Sequence, residues 1–182
     1  MAGVRGTLIN TKNNAELLKH VPHRSFLDLS VVYRFYEGEM LLLVDNSIME
    51  YKHLEEEKLF EIAMHDPNSI PVIYDIIEGF KIHGPKELMY LMSNQDANFG
   101  AFSVIRGKSA LRDFSEKIGK DIVLLPSSIH EWILLPADSP ANPEELSCII
   151  QQVNQELVPD GEVLSDHPYI YWRDTDEITF FE

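Results

Sequence analysis

The sequence predicts an α+β fold of largely antiparallel sheet segments with about three helices, arranged in two lobes. Apolar and polar side chains alternate from Leu27 to Phe35, the period of a half-buried strand. Helical periodicity occupies three separate stretches, 47–64, 109–118 and 143–157. Strand-like segments come in pairs joined by turns, without regular βαβ alternation, so neighbours are expected to pair antiparallel.

Leu27, Leu29, Val31, Tyr33 and Phe35 line one face of the first strand; Glu37-Gly38 breaks it, and Met40–Val44 returns as its hairpin partner. Ser47 with Glu50 resembles a capping box and opens a helix that continues to Met64. Leu59, Phe60, Ile62, Ala63 and Met64 form its apolar face and leave Glu55, Glu56, Glu57 and Glu61 outward. Pro67 and Pro71 end that helix. The stretch 65–87 is the expected connection between an N-terminal lobe, 1–79, and a C-terminal lobe, 80–182.

A second hairpin is expected from Leu88–Ser93 and Gly100–Ile105 across the turn-rich Asn94–Asn98. The next helix sets Leu111, Phe114, Ser115 and Ile118 on one face and stops at Gly119. Two apolar segments, Ile122–Leu125 and Trp132–Leu135, follow. Asn142-Pro143-Glu144-Glu145 is a strong helix start: a cap, a proline in the first turn, then acids on the helix dipole. Leu146, Ile149, Ile150, Val153 and Leu157 are expected to be its core stripe. Tyr169–Trp172 and Ile178–Phe181 read as short strands.

At 182 residues and 45% hydrophobic, the chain is long enough for a substantial core. Its 15 basic and 30 acidic side chains give a net charge of −15, which argues against direct binding to nucleic-acid backbones or anionic membranes. A single cysteine, Cys148, excludes an intrachain disulfide and a Cys-based zinc site. No apolar run reaches signal-peptide length or the ~20 residues of a membrane span. The expectation is therefore a soluble protein of the bacterial cytoplasm. The charge is also blocked: residues 28–79 carry −9 and 121–182 carry −12, while 1–27 and 80–120 carry +3 each.

Ser127-Ser128-Ile129-His130-Glu131 brings hydroxyl, imidazole and carboxylate together in sequence, the ingredients of a hydrolase. Adjacent strand positions point to opposite faces, however, and no Gly-x-Ser-x-Gly elbow accompanies them. His20 and His23, with His53 and His65, are candidate metal ligands, although Pro22 disfavours a helical pair. No cofactor and no metal are expected. Arg106-Gly107-Lys108 ahead of a helix reads as a solvated basic loop. Tyr171 and Trp172, among Asp160, Glu162, Asp166, Asp174, Asp176 and Glu177, mix aromatic anchors with negative charge, as docking surfaces do. The competing reading is strand residues facing a core with acids outside.

Val21-Pro22-His23-Arg24-Ser25-Phe26-Leu27-Asp28-Leu29, Tyr90–Asn94, Phe99-Gly100-Ala101 and Leu124–Pro136 resemble a domain-of-unknown-function family of gut Firmicutes and their mobile elements, over about residues 20–170. That family carries no established activity to this chain. Length, acidity and domain type also resemble type II-A anti-CRISPR proteins. This likeness implies a non-enzymatic inhibitor that binds a basic nucleic-acid-processing protein, most concretely an RNA-guided nuclease with its guide RNA, as a duplex mimic. The candidate partner-binding residues are Glu55, Glu56, Glu57, Glu61, Asp160, Glu162, Asp166, Tyr171, Trp172, Asp174, Asp176 and Glu177. The alternatives are an accessory or regulatory protein whose acidity serves solubility, and a hydrolase using Ser128, His130 and Glu131.

Overall fold

The computed structural model describes residues 3–76, 89–138 and 142–182. Its first sheet has four strands. β3 (Leu29–Glu37) is central, and β1 (Gly3–Asn10) runs antiparallel along it from Gly3 opposite Tyr36 to Asn10 opposite Leu29. The other edge of β3 is shared by β2 (His23–Phe26) and β4 (Met40–Leu43), which pair with its first and last turns of chain respectively. The expected first hairpin is thus β3–β4. β1 was not expected, because two glycines and Arg5 disguise its alternation. Gly6 has a packing reason: a Cβ there would stand 2.7 Å from the Phe102 ring.

Helix α1 (Ala15–Leu18) is a single turn. The helix expected over 47–64 is two, α2 (Asn46–Lys52) and α3 (Glu56–Met64), because His53 turns left-handed at φ 51° and ends the first. Nor is Ser47 the cap. Asp45 is: its carboxylate accepts from the Ile48 N–H at 2.8 Å and from the Ser47 hydroxyl at 2.6 Å. α3 packs on β1 and β3 through Leu59 and Ala63.

The second sheet has six antiparallel strands in the order β10-β9-β7-β8-β6-β5: β5 (Pro71–Asp75), β6 (Tyr90–Asn94), β7 (Ile122–Ser128), β8 (Glu131–Pro136), β9 (Tyr169–Trp172) and β10 (Glu177–Phe180). The expected strand at Gly100–Ile105 is a correction. A 3-10 turn (Gly100–Phe102) and α4 (Ser103–Arg106) stand there instead, and β6 pairs with β5 and β8. Phe99 enters the left-handed region at φ 55°, and a Cβ on Gly100 would collide with Ser93 and the His130 carbonyl, so the chain turns inward rather than extending. α5 (Lys108–Ile118) ends on Gly119 at φ 73°, as its glycine implied. α6 (Pro143–Leu157) has the full capping box between Asn142 and Glu145. Six α-helices stand among the described residues where about three were expected; the surplus is α1, α4 and the split at His53.

One core cluster joins the sheets, with Leu8, Val31 and Tyr33 from the first meeting Met92, Leu124, Trp132 and Tyr169 of the second. A smaller cluster sits behind the second sheet, where Leu146 and Ile150 of α6 cover Val123, Leu125 and Leu135. β7 is therefore buried on both faces, which explains its unbroken apolar run. The α6 stripe needs correcting: Leu146, Ile150 and Asn154 are buried, whereas Ile149, Val153 and Leu157 face solvent. The expected division at residue 79 falls outside the described residues. Among those described, no helix is long and apolar enough to cross a membrane.

Candidate functional site

The α3 carboxylates meet cations of their own chain. Arg24 on β2 donates from Nε to Glu56 at 3.2 Å, and from Nη2 to Glu56 at 2.8 Å and Glu57 at 2.6 Å, while lying over the Phe60 ring at 3.9 Å. The Tyr33 hydroxyl also donates to Glu56; burial first, and then that carboxylate, pushes the phenol up. Glu61 pairs with Lys58 at 2.7 Å. Glu55 precedes the helix in extended conformation and is exposed. Three of the four acids thus have part of their field neutralised within the fold.

The C-terminal candidates divide. Asp176, left-handed at φ 57° in the β9–β10 turn, pairs with Arg112 and accepts from the Tyr171 hydroxyl at 2.8 Å. Tyr171 is fully buried, and burial together with Asp176 pushes its phenol up to about 12. It is a core residue rather than a docking anchor. Trp172 is half-exposed, with its indole N–H on Thr179 Oγ1 at 3.0 Å. Asp166 accepts from Asn154 at 2.9 Å, and Glu162 stands 3.7 Å from His130. Asp160, Asp174 and Glu177 are exposed, Asp174 lying 3.7 Å from Arg173. Among the described residues no hydrogen bond or ion pair joins this group, on the second sheet, to the α3 group on the first.

The Ser127–Glu131 segment shapes the β7–β8 hairpin, whose register shifts between Pro126 and Ser128. The His130 N–H donates to Ser128 Oγ at 3.1 Å, and His130 Nδ1 accepts the Phe99 N–H at 3.0 Å, fixing the loop that carries Gly100. Ser127 reaches Glu131 at 3.4 Å. Among the described residues no group of three or more His, Cys, Asp or Glu is placed to hold a metal, His20, His23, His53 and His65 included. The basic loop is occupied internally too, Arg106 donating to the Asp66 carbonyl and Lys108 to that of Asp176 at 3.4 Å.

Sequence reasoning missed a constellation built from residues 139 apart. Asp28, in the β2–β3 turn where Leu27 sits at φ 54°, accepts from His167 Nε2 at 3.1 Å, from the Tyr169 hydroxyl at 2.6 Å and from Ser165 at 3.4 Å. His167 borders an open cavity of about 740 Å³ with Asn142, Ser147, Phe180 and Phe181. The hydrogen bond that His167 donates to Asp28 raises the imidazole, with burial opposing it. Burial would raise Asp28, but the bonds from His167 and Tyr169 prevail and hold it below the usual carboxylate value. Three donors from the C-terminal part of the chain converge on this carboxylate, so it clasps the β2–β3 turn to the segment that leads into β9.

The raised imidazole fixes a sign. Its stabilisation is complete below the ordinary histidine value of 6.5 and is lost as pH rises through the higher folded value; that of Asp28 is present above 3.8 and lost as pH falls through its lowered value. Wild type should therefore melt above His167→Gln by a margin that shrinks as pH rises past 6.5 and through the higher folded value. A margin independent of pH in thermal unfolding would remove the ion pair from the account.

Residues 3–173 match the model of DUF5688, a family of unknown function. The chain is a member of DUF5688. The match takes in both sheets up to the β9–β10 turn, so the Asp28 clasp and the His130 hairpin both lie within it. No curated protein and no solved structure matches the chain.

Proposed function

We propose that this DUF5688 member is a non-enzymatic acidic inhibitor of a basic nucleic-acid-processing protein, in its most concrete form the RNA-guided nuclease of a type II CRISPR system with its guide RNA. The observation that carries the reading is the one-sided charge of the C-terminal part. From Asp121 onward Arg173 is the sole lysine or arginine in the sequence, and it lies beside Asp174. Exposed Asp160, Asp166, Asp174 and Glu177 leave a field that attracts cationic channels and speeds encounter. The likeness to type II-A anti-CRISPR proteins supports the choice of nuclease. The hydrolase alternative draws little support, since Ser128 and His130 meet backbone N–H groups rather than each other.

The neutralised α3 acids favour a second reading, an accessory protein whose acidity serves solubility. The test mixes the purified protein with the nuclease–guide complex and follows target binding and cleavage. Inhibition is expected, and Asp160→Lys, Asp174→Lys and Glu177→Lys together should raise the half-inhibitory concentration about tenfold. Unchanged nuclease activity at large molar excess sinks the nuclease version. Full inhibition by the triple variant sinks the role of these acids.

A further inference from the structure

α6 buries only a narrow stripe. Leu146, Ile150 and Asn154 recur every fourth residue toward the second sheet, while the adjoining row of Ile149, Val153 and Leu157 stands 54%, 37% and 76% exposed. Three aliphatic side chains at i, i+4 and i+8 form a ridge roughly 12 Å long. A ridge of this kind is what one helix offers to the groove of another. The polar residues beside it carry one sign: Glu145 begins the row, Glu156 flanks its far end, Gln152 donates to Glu156 at 3.0 Å, and the helix contains no lysine or arginine.

We propose that this face of α6 docks a basic amphipathic helix of the partner protein. The partner's apolar residues, at i, i+3, i+4 and i+7, pack on Ile149, Val153 and Leu157, and its lysines or arginines meet Glu145 and Glu156. A second copy of this chain fits worse, because an antiparallel pairing of two α6 helices sets Glu144 and Glu145 against Glu156. The inference rests on the preceding reading for the partner's basic character, but not for its identity as a nuclease. It places the apolar contacts that acidity alone lacks: charge speeds association, and desolvated apolar contact slows release.

Cys148, exposed and the chain's one cysteine, lies next to Ile149 and accepts a thiol-reactive fluorophore. The probe is a 14-residue leucine–lysine amphipathic peptide, titrated while the fluorophore and the peptide's circular dichroism are followed. Saturable one-to-one binding with a gain of helix is expected. The Ile149→Ser/Val153→Ser double variant should bind at least about tenfold more weakly. Leu157→Ser, at the most exposed position of the row, repeats the test with the least risk to folding. Met40→Ser/Leu42→Ser, on the exposed apolar edge strand β4, should bind like wild type. Equal binding by the α6 variants overturns the proposal, as does concentration-dependent self-association that these variants abolish. Peptide binding through α6 with an untouched nuclease refutes the nuclease reading and supports this one.

Discussion

Replacing Trp132 with alanine should lower the free energy of unfolding by about 3–5 kcal/mol, among the largest effects of any single change in this protein. The indole is fully buried where the two sheets meet, edge-on to Tyr169 with ring centroids 5.5 Å apart. Its N–H donates to the Ala101 carbonyl at 2.8 Å, tying β8 to the 3-10 turn at Gly100–Phe102. Alanine removes the packing, opens a cavity and leaves that carbonyl without its donor. Trp132→Phe keeps most of the volume and loses the hydrogen bond, so it should cost about 1–3 kcal/mol. Urea unfolding followed by circular dichroism measures both. A Trp132→Ala cost below that of Trp132→Phe would mean that the sheets do not share this core.

Asp66→Ala should cost a similar amount, about 3–5 kcal/mol, for an electrostatic reason. Asp66 is 3% exposed and gathers the Tyr36 hydroxyl at 2.7 Å, the Ser69 hydroxyl at 2.7 Å and the Asn68 N–H at 3.2 Å. Arg5, itself 5% exposed, approaches it through Nε at 3.6 Å, too far for a hydrogen bond, and reaches Asp96 at 2.9 Å. Without Asp66 the guanidinium keeps only a partly solvated partner, and the buried Ser69 hydroxyl and half-buried Tyr36 hydroxyl lose their acceptor. The Arg5→Met/Asp66→Ala double variant tests this: it should be more stable than Asp66→Ala alone, because the buried charge, left with only the partly solvated Asp96, goes too. Additive costs would show that the charge plays no part.

Features set by contiguous residues were legible in the sequence. The Asn142 cap, the Gly119 stop, the β3–β4 hairpin and the two tail strands all follow from local chemistry. Where neighbours distant in sequence decide the outcome, the reading failed. His53 and Phe99 adopt left-handed conformations that no local rule assigns to histidine or phenylalanine, so one helix was read as continuous and one inward turn as a strand. Ile149 and Val153 fit a helical stripe as well as Leu146 and Ile150 do; only the narrow contact with the second sheet separates them. The acidic blocks were visible, but not that Arg24, Lys58 and Arg112 would occupy Glu56, Glu57, Glu61 and Asp176. The Asp28 clasp left no sequence signature, because its members lie at opposite ends of the chain.

The shared core also has a consequence for synthesis. The first sheet is complete by Leu43 and α3 covers part of its inner face by Met64, yet Trp132 and Tyr169, which share a core with Leu8, Val31 and Tyr33, come much later. At about 5–20 residues per second, a ribosome takes roughly 6–25 seconds to make the intervening chain. Throughout that interval the nascent protein carries a finished sheet whose greasy face is only partly covered, a natural substrate for ribosome-bound chaperones.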